Sequence, residues 1–227
     1  MKILVVDDDA DLVEVITYGL RRRGHSVTAA ADGEDALERW RADSPSMVLL
    51  DVGLPNMDGL EVCRRIRESS KVPIILLSGS NSEDDIISGL KAGAEEYIAK
   101  PFSLTQLALR IEALARWTRP SESTDFQGNI QVGDLVVNPE YCSVHNNGQE
   151  VRLTRMEFRI LYSLAANAGK VVVMDRLADF AWEGPGEGDP ALLKTHISRI
   201  RRKLGVPANE PGFIRSAPGL GYSLTVH

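Results

Sequence analysis

The residues of this chain best suited to chemistry stand at the ends of short apolar runs. They are Asp7 and Asp8, Asp51, Ser78 and Lys100. An apolar run of four or five residues that stops at turn-forming residues is typical of a buried strand in a parallel sheet. Open α/β sheets bind their ligands at the carboxyl ends of their strands. We therefore expect these five side chains to converge at one edge of a sheet.

Three carboxylates at one edge repel each other unless a cation neutralises them. An all-oxygen set of ligands completed by water suits Mg²⁺. A metal there would also bridge an incoming phosphoryl group to Asp51, whose carboxylate can act as a nucleophile and form an aspartyl phosphate. Lys100 would then supply positive charge to the phosphoryl oxygens, and Ser78 a hydroxyl donor. The alternative is that Asp51 only caps the following helix.

The elements that must position these residues are strands that alternate with helices. Strands are predicted at residues 3–6, 26–30, 47–51, 74–77 and 97–99, and helices at 11–23, 35–41, 59–68, 84–92 and 104–117. Five strands alternating with five helices predict a doubly wound parallel α/β domain. The polar segment at 119–128, RPSESTDFQG, shows no periodicity and is interpreted as a linker.

Composition narrows the class of protein. The chain has 227 residues, which suits two domains, and a formal net charge of −6, which disfavours indiscriminate coating of nucleic acid but allows a local basic face. No apolar run approaches the roughly 18 residues of a membrane span, and the first run is too short for a signal peptide. Cys63 and Cys142 are far apart and match no metal spacing. We expect a cytoplasmic protein without membrane contact.

The segments VVDDD, LLDVGLPNMDGLE, ILLSG and YIAKPF resemble the receiver domain of bacterial two-component response regulators, over about residues 1–118. The resemblance implies a cis bond before Pro101. It also implies these roles: phosphoacceptor Asp51; Mg²⁺ ligands Asp7, Asp8, Asp51 and the backbone carbonyl of Gly53; phosphoryl-contact and switch residues Ser78, Tyr97 and Lys100. Such a domain receives its phosphoryl group from a sensor histidine kinase.

Some positions depart from the family pattern. Gly53 stands where relatives usually carry a bulky side chain over the phosphoryl group, Gly79 where Ala is common, and Ser80 where Arg is common. These departures bear on the lifetime of the phosphoryl group and leave the identity of the site intact.

Dimerisation is a further expectation from the resemblance. Phosphorylation is expected to favour a homodimer through the fourth helix, fifth strand and fifth helix. Glu96 and Arg110 match a family salt bridge across that interface. Ile86 and Gln106 replace another charged pair together, so no unpaired charge is left.

The second half has a different pattern. Strands are predicted around 130–132, 135–137, 142–145 and 151–153, with a hairpin turn at Asn146-Asn147-Gly148. Thr154 and Glu157 form a capping box at the start of a helix. Two more helices, at 174–182 and about 190–204, precede a hairpin at 213–226.

The last of these helices is basic, with five positive charges and no acid between Lys194 and Lys203. Leu193, Ile197, Ile200 and Leu204 form its apolar stripe, and Thr195, Ser198, Arg199 and Arg202 are expected to face outward. One interpretation is a solvated basic face. The other is a helix that enters the major groove of DNA, where Arg donates to guanine and Lys to phosphate.

The segments LTRMEFRILYSL, KTHISRIRRKLG and GLGYSL resemble the winged-helix effector domain of the OmpR/PhoB class, over about residues 129–227. The resemblance favours the second interpretation, in an α+β winged-helix domain. The DNA-binding candidates are Lys194, Thr195, Ser198, Arg199, Arg202, Lys203 and Arg215. Pro218 stands where relatives usually carry an Arg that reaches the minor groove, a loss that Arg215 partly offsets.

These expectations combine into a transcriptional regulator that is switched by phosphorylation of Asp51, binds promoter DNA and acts on RNA polymerase. Its only catalytic chemistry is the gain and loss of its own phosphoryl group. One rival is a DNA-binding regulator that works without phosphorylation. The other is a Mg²⁺-dependent phosphatase, because Asp7 and Asp9 imitate the Asp-x-Asp motif of haloacid-dehalogenase-like enzymes. In those enzymes Gly-Thr or a similar pair follows the motif, whereas Ala10-Asp11 follow here. The phosphatase interpretation also leaves the basic helix unexplained.

Overall fold

The protein divides into two compact units, Met1–Thr118 and Arg119–His227. The structure is a computed structural model that describes residues 1–80, 82–115, 128–182, 190–206 and 212–225. Apart from Gly128, the predicted linker lies outside the described residues. No helix in these ranges combines the length and the apolar character needed to cross a membrane.

The first unit is a five-stranded parallel sheet in the order β2-β1-β3-β4-β5. Its strands are β1 (Lys2–Val6), β2 (Ser26–Ala30), β3 (Met47–Asp51), β4 (Ile74–Ser78) and β5 (Glu96–Ala99). Its helices are α1 (Ala10–Arg22), α2 (Gly33–Asp43), α3 (Gly59–Arg67), α4 (Glu83–Ala92) and α5 (Leu104–Ala115). Helix α1 packs beside α5, while α3 packs against both α2 and α4. This is the doubly wound α/β fold that the alternating pattern predicts.

Register places the polar residues side by side. Val6 pairs with Leu50, so Asp7 and Asp51 follow directly at the ends of the neighbouring strands β1 and β3. Ser78 is the last residue of β4 and pairs with Ala99, the last residue of β5, so that Lys100 follows directly. Residues 3–6, 47–50 and 74–77 are buried throughout, because helices cover the central strands on both faces. The apolar core thus fixes the edge from which the polar side chains project.

A buried ion pair fixes the opposite edge of the same sheet. Glu95, which has no exposed surface, accepts hydrogen bonds from Arg67 Nη2 at 2.6 Å and from Ile74 N at 2.8 Å. Arg67 Nε also donates to the carbonyl of Gly93 at 2.8 Å. Gly93 has φ +122°, and a Cβ there would stand 2.5 Å from Arg67 Cγ, so only glycine fits. Arg67 of α3 thereby holds the starts of β4 and β5 together.

The second unit combines small antiparallel sheets with three helices. A four-stranded sheet contains β6 (Ile130–Val132), β7 (Leu135–Asn138), β8 (Ser143–Asn146) and β9 (Gln149–Glu150). Helices α6 (Arg155–Ala166), α7 (Met174–Trp182) and α8 (Pro190–Lys203) follow. A three-stranded sheet in the order β10-β12-β11 contains β10 (Val171–Val173), β11 (Ile214–Ala217) and β12 (Gly221–Leu224). This α+β arrangement is of the predicted winged-helix type.

One strand prediction in this unit is wrong, and one strand was not predicted. The fourth strand is Gln149–Glu150 and not residues 151–153. Asn147 and Gly148 have φ 51° and 75°, as in a type I′ turn, so Asn146 pairs directly with Gln149. Sequence analysis also missed β10, three residues that pair with the last hairpin of the chain.

The Arg67–Glu95 pair yields a prediction about stability. Arg67→Met removes the cation beside a fully buried carboxylate, so we expect the first unit to lose about 3–5 kcal/mol. Hydrogen exchange of the Ile75 and Leu76 amides measures this loss as a lower free energy of opening. The matched control is Arg64→Met on the same helix, whose exposed pair with Glu61 is screened by solvent and is expected to contribute little. Equal losses in the two variants would contradict the assigned role of Glu95.

Candidate functional sites

Lys100 joins two buried carboxylates at the carboxyl edge of the first sheet. Its Nζ lies 2.7 Å from Asp7 Oδ2 and 2.6 Å from Asp51 Oδ1. Asp7 and Asp51 are 2% and 5% exposed, whereas Asp8 is exposed to solvent. One carboxylate oxygen from each of these three acids lies within 4.8 Å of the others. The structure thus brings four of the five expected side chains, the three acids and Lys100, together at this edge.

The charges in this site depend on each other. Burial raises the pKa of Asp7 above its ordinary value, although the hydrogen bonds from Lys100 and from Asp9 N act in the opposite direction. Burial alone would lower the pKa of Lys100, but its hydrogen bonds to Asp51 and Asp7 raise it. Lys100 is consequently a fixed cation at neutral pH, and it offsets the repulsion between the two buried carboxylates.

The donor set fits Mg²⁺. Three carboxylates within reach of one ion, one of them open to water, are the hard oxygen ligands that this metal takes in proteins. Position 53 is beside the Asp51 carboxylate, because a Cβ on Gly53 would stand 3.2 Å from Asp51 Oδ2. Gly53 itself is exposed, so no side chain from this position covers that oxygen.

Ser78 and Tyr97 meet at the loop that follows β4. Ser78 is buried, and its Oγ accepts a hydrogen bond from Ser80 N at 3.2 Å. The Tyr97 hydroxyl donates to the carbonyl of Ser80 at 2.9 Å. Burial raises the pKa of Tyr97, so its phenol stays protonated and able to donate. The peptide bond between Lys100 and Pro101 is cis, as expected.

The two residues predicted for the dimer interface contact each other within one chain. Arg110 Nη1 of α5 lies 3.7 Å from Glu96 Oε2 of β5, and the Glu96 side chain is buried. Ile86 of α4 is half-buried and Gln106 of α5 is exposed.

The basic helix α8 presents only part of its charge to solvent. Lys194, Ser198 and Arg202 are exposed at four-residue intervals, and Thr195 is half-buried beside them. Residues four apart lie on one face of a helix, so these side chains form a continuous row. The predicted outward positions of Thr195, Ser198 and Arg202 agree with this arrangement.

The outward placement of Arg199 is wrong. Its side chain is 3% exposed, and its Nε lies 2.9 Å from Oε1 of the fully buried Glu157 on α6. Lys203 Nζ lies 2.7 Å from Oε2 of the same carboxylate, so this lysine is also engaged inside the domain instead of standing out at the helix end. The physical reason is that a buried carboxylate requires cations, and α8 supplies two of them.

Glu157 also completes the predicted capping box, which is confirmed. Its Oε2 accepts from Thr154 N at 2.7 Å, and the Thr154 hydroxyl accepts from Glu157 N. Burial alone would raise the pKa of Glu157, but Arg199 and Lys203 hold it below its ordinary value. The same carboxylate therefore caps α6 and anchors α8.

Comparison with known proteins identifies the family. Residues 3–112 match the family model of the response regulator receiver domain, and residues 148–224 match that of the C-terminal domain of transcriptional regulatory proteins. The alkaline phosphatase synthesis transcriptional regulatory protein PhoP of Bacillus subtilis is 35% identical over 98% of this chain and 96% of its own length. This chain belongs to the response regulators of the OmpR/PhoB class.

Solved structures agree with that assignment. The response regulator DrrB, a Thermotoga maritima OmpR/PhoB homolog, is 33% identical over 99% of this chain and 98% of its own, with a TM-score of 0.53. The receiver domain of the Francisella response regulator 1452 is 32% identical over 52% of this chain and 98% of its own, with a TM-score of 0.51. This response regulator is thus a signalling and DNA-binding protein rather than a metabolic enzyme. Its receiver domain implies a histidine kinase as partner, and its second domain implies promoter DNA.

The wing of this response regulator is the β11–β12 hairpin, and its Arg215 lies elsewhere than the sequence-based expectation placed it. Arg215 pairs with Ser223, which also pairs with Val171, so Arg215 lies on the outer face of the three-stranded sheet. Successive residues of a strand point to opposite faces, so Ser216 lies on the face that meets α8. Pro218 is exposed. Arg215 therefore does not stand beside the helix as a substitute for a wing arginine.

Sequence analysis missed Arg201. Its guanidinium donates from Nε and Nη2 to the carbonyl of Ile214, at 3.1 and 2.8 Å, and from Nη2 to Ser216 Oγ at 3.0 Å. A signal was available, because Arg201 follows Lys194 by seven residues and Ser198 by three, which is the spacing of one helical face.

The Glu157 cluster yields a prediction about pH. Because the folded-state pKa of Glu157 lies below its ordinary 4.5, its contribution to stability is present above that pH. It is lost as the pH falls further, through the folded-state value. Glu157→Gln leaves Arg199 without its carboxylate, so we expect a loss of about 3–5 kcal/mol at pH 7 and a smaller difference in acid. Urea unfolding followed by Trp182 fluorescence, with Trp40 and Trp117 replaced by Phe, measures the difference.

The control for this prediction is Glu140→Gln, which removes an exposed carboxylate from the same domain. It should shift the free energy of unfolding by no more than about 0.5 kcal/mol. A Glu157→Gln protein as stable as this control at pH 7 would show that the cluster does not hold α8 in place.

Proposed function

We propose that Asp51 accepts a phosphoryl group from a sensor histidine kinase and that this modification controls DNA binding by the second domain. The observation that carries the proposal is the position of Lys100 Nζ, within 2.7 Å of both Asp7 and Asp51. A lysine so placed contacts the acceptor carboxylate directly, at 2.6 Å from Asp51 Oδ1. It is also ready to receive the charge of an incoming phosphoryl group.

Mg²⁺ is the proposed cofactor, and Asp7, Asp8, Asp51 and the carbonyl of Gly53 are its proposed ligands. When bound, the metal supplies charge neutralisation for the transferred group. The carboxylate of Asp51 is the nucleophile, and the protein contributes mostly position and charge. Lys100 would turn from the carboxylates toward the phosphoryl oxygens, because Asp7 would then be a ligand of the bound metal.

Ser78 and Tyr97 are proposed to carry the signal away from Asp51. The Ser78 hydroxyl, at the end of the strand next to Asp51, would donate to a phosphoryl oxygen. The backbone of Ser80 is hydrogen-bonded to the side chains of both Ser78 and Tyr97, so a movement of Ser78 would be transmitted to the tyrosine. Phosphorylation would thus bias an existing equilibrium between two arrangements of this loop.

The proposed output is a homodimer of receiver domains, with Glu96 and Arg110 at the interface, bound to promoter DNA and acting on RNA polymerase in the cytoplasm. The contact between Glu96 and Arg110 within one chain is compatible with this role, because it sets the position of the arginine on α5.

The proposed DNA interface is the exposed row on α8. Lys194, Thr195, Ser198 and Arg202 would meet the major groove, where Arg202 can donate two hydrogen bonds to guanine and Lys194 can contact phosphate. Arg199 and Lys203 are not part of this interface, because both neutralise Glu157.

The phosphatase alternative finds no support in the site. The Asp9 carboxylate caps α1, where it accepts hydrogen bonds from the backbone N–H groups of Asp11 and Leu12. It therefore does not join Asp7 as the second acid of an Asp-x-Asp pair.

The first prediction concerns the acceptor residue. Incubation with acetyl phosphate and Mg²⁺ should add one phosphoryl group to the protein, and Asp51→Asn should remain unmodified, because an amide cannot form the acyl phosphate. Intact-mass spectrometry measures both. The control Asp58→Asn, at the exposed cap of α3, should still be modified. An Asp51→Asn protein that gains the same mass would refute the assignment.

The second prediction concerns the lifetime of the phosphoryl group. Gly53→Met places a side chain beside Asp51 Oδ2 and restricts the approach of water, so dephosphorylation should slow severalfold. The decay of radiolabelled phosphoprotein after removal of the donor gives the rate. An unchanged or faster decay would show that position 53 does not control access of water.

The third prediction separates the base contact proposed for Arg202 from the phosphate contact proposed for Lys194. Arg202→Ala should cost about 1–3 kcal/mol at one base pair and much less on scrambled DNA. Lys194→Ala should weaken binding to all sequences alike and reduce the salt dependence by about one counterion. Titration of the phosphorylated full chain against a duplex selected from a random pool measures both effects. If Arg202→Ala weakens every sequence equally, Arg202 does not contact a base.

A further inference from the structure

The side chain of Arg201 joins helix α8 to the wing, the β11–β12 hairpin. Arg201 of α8 donates three hydrogen bonds to β11, two to the carbonyl of Ile214 and one to Ser216 Oγ. Its guanidinium carbon also lies 6.0 Å from the ring centroid of Tyr222 in β12. Both strands of the wing hairpin therefore contact the same planar cation.

The acceptor of two of these bonds is a strand-edge carbonyl. Strand β11 is at the edge of its sheet, and Thr225 N donates to the carbonyl of Phe213. In an antiparallel ladder the main-chain groups of successive residues point to opposite sides, so the Ile214 carbonyl points away from β12. Arg201 thus pairs with the unused edge of β11 and leaves the strand ladder intact.

The position of Arg201 on the helix makes this link relevant to DNA. Arg201 lies on the same helical face as Lys194 and Ser198, where that face meets the wing. A guanidinium is planar and carries its donors in a fixed fork, so two acceptors on β11 set its orientation. The link therefore sets the distance and angle between the exposed row of α8 and the β11–β12 hairpin.

We propose that Arg201 is a positioning residue for DNA recognition. It holds the wing hairpin in one orientation relative to α8, so that the helix and the hairpin meet the duplex together. This inference rests on the proposed DNA interface of α8. It is more than a contribution to folding, because burial of Ile214, Tyr222 and Leu224 and the pairing of β10 with β12 also hold the hairpin in the domain. The hairpin should stay folded when Arg201 is replaced.

The test uses the phosphorylated full chain and a duplex selected from a random pool by the unaltered protein. Hydroxyl-radical footprinting reports contacts of the helix in the central major groove separately from those of the hairpin at the flanks. Arg201→Gln and Arg201→Lys should both weaken binding about tenfold or more. Both should lose the flanking protection and keep the central protection. Circular dichroism and the thermal midpoint should match those of the unaltered protein.

Arg201→Lys is the deciding variant, because it keeps the charge and loses the planar fork. Binding by Arg201→Lys equal to that of the unaltered protein would overturn the proposal and make Arg201 an ordinary phosphate contact. A uniform loss of protection in Arg201→Gln would overturn it as well.

Ser216→Ala supplies a milder variant that should fold normally. It removes one acceptor, so the proposal expects a smaller loss with the same flanking pattern. It also expects little additional loss when Ser216→Ala is combined with Arg201→Gln, since both act through one contact. Fully additive losses would contradict this. Arg202→Ala measured on the same duplex tests the α8 interface by itself, so failure of that interface is distinguishable from failure of the link.

Discussion

The receiver domain depends on a single lysine held between two buried carboxylates. Five parallel strands end at one edge, and the apolar interiors of β1, β3 and β4 place the polar residues of these strands at their carboxyl ends. Asp7 and Asp51 are forced together by the register of β1 and β3, and without Lys100 their repulsion would oppose the fold itself. In the proposed function, a metal and a phosphoryl group would replace the contacts that the lysine makes.

The DNA-binding domain solves a similar electrostatic problem in its interior. The buried Glu157 needs compensation, and α8 provides Arg199 and Lys203 for it. Arg201 is committed to the wing by three hydrogen bonds. The basic character of α8 therefore serves several purposes: two cations fix the helix to α6 and one links it to the hairpin. Lys194 and Arg202 remain exposed and belong to the proposed DNA interface. Counting positive charges on such a helix overstates the charge that a nucleic acid meets.

Sequence alone predicted that Asp7, Asp8, Asp51 and Lys100 lie together, because the ends of the strands determine their positions. An acid directly after a short apolar run must emerge at the carboxyl edge, and parallel strands bring such ends together. The placement of Arg199 failed because it depends on which residue of α6 lies opposite, and helical periodicity holds no information about a partner helix. The strand predicted at 151–153 failed for a local reason: the two-residue turn at Asn147 and Gly148 fixes pairing immediately after itself. Tertiary partners, rather than local propensities, account for the corrections on α8.

The central claim is that the state of Asp51 controls the affinity of the second domain for DNA. The most direct measurement is the dissociation constant of the full chain for its selected duplex, with and without acetyl phosphate and Mg²⁺, in the unaltered protein and in Asp51→Asn. The account predicts that the donor tightens binding by the unaltered protein and leaves Asp51→Asn unchanged at the weaker affinity. Equal affinity in all four samples would contradict it and would identify a regulator that binds DNA without phosphorylation.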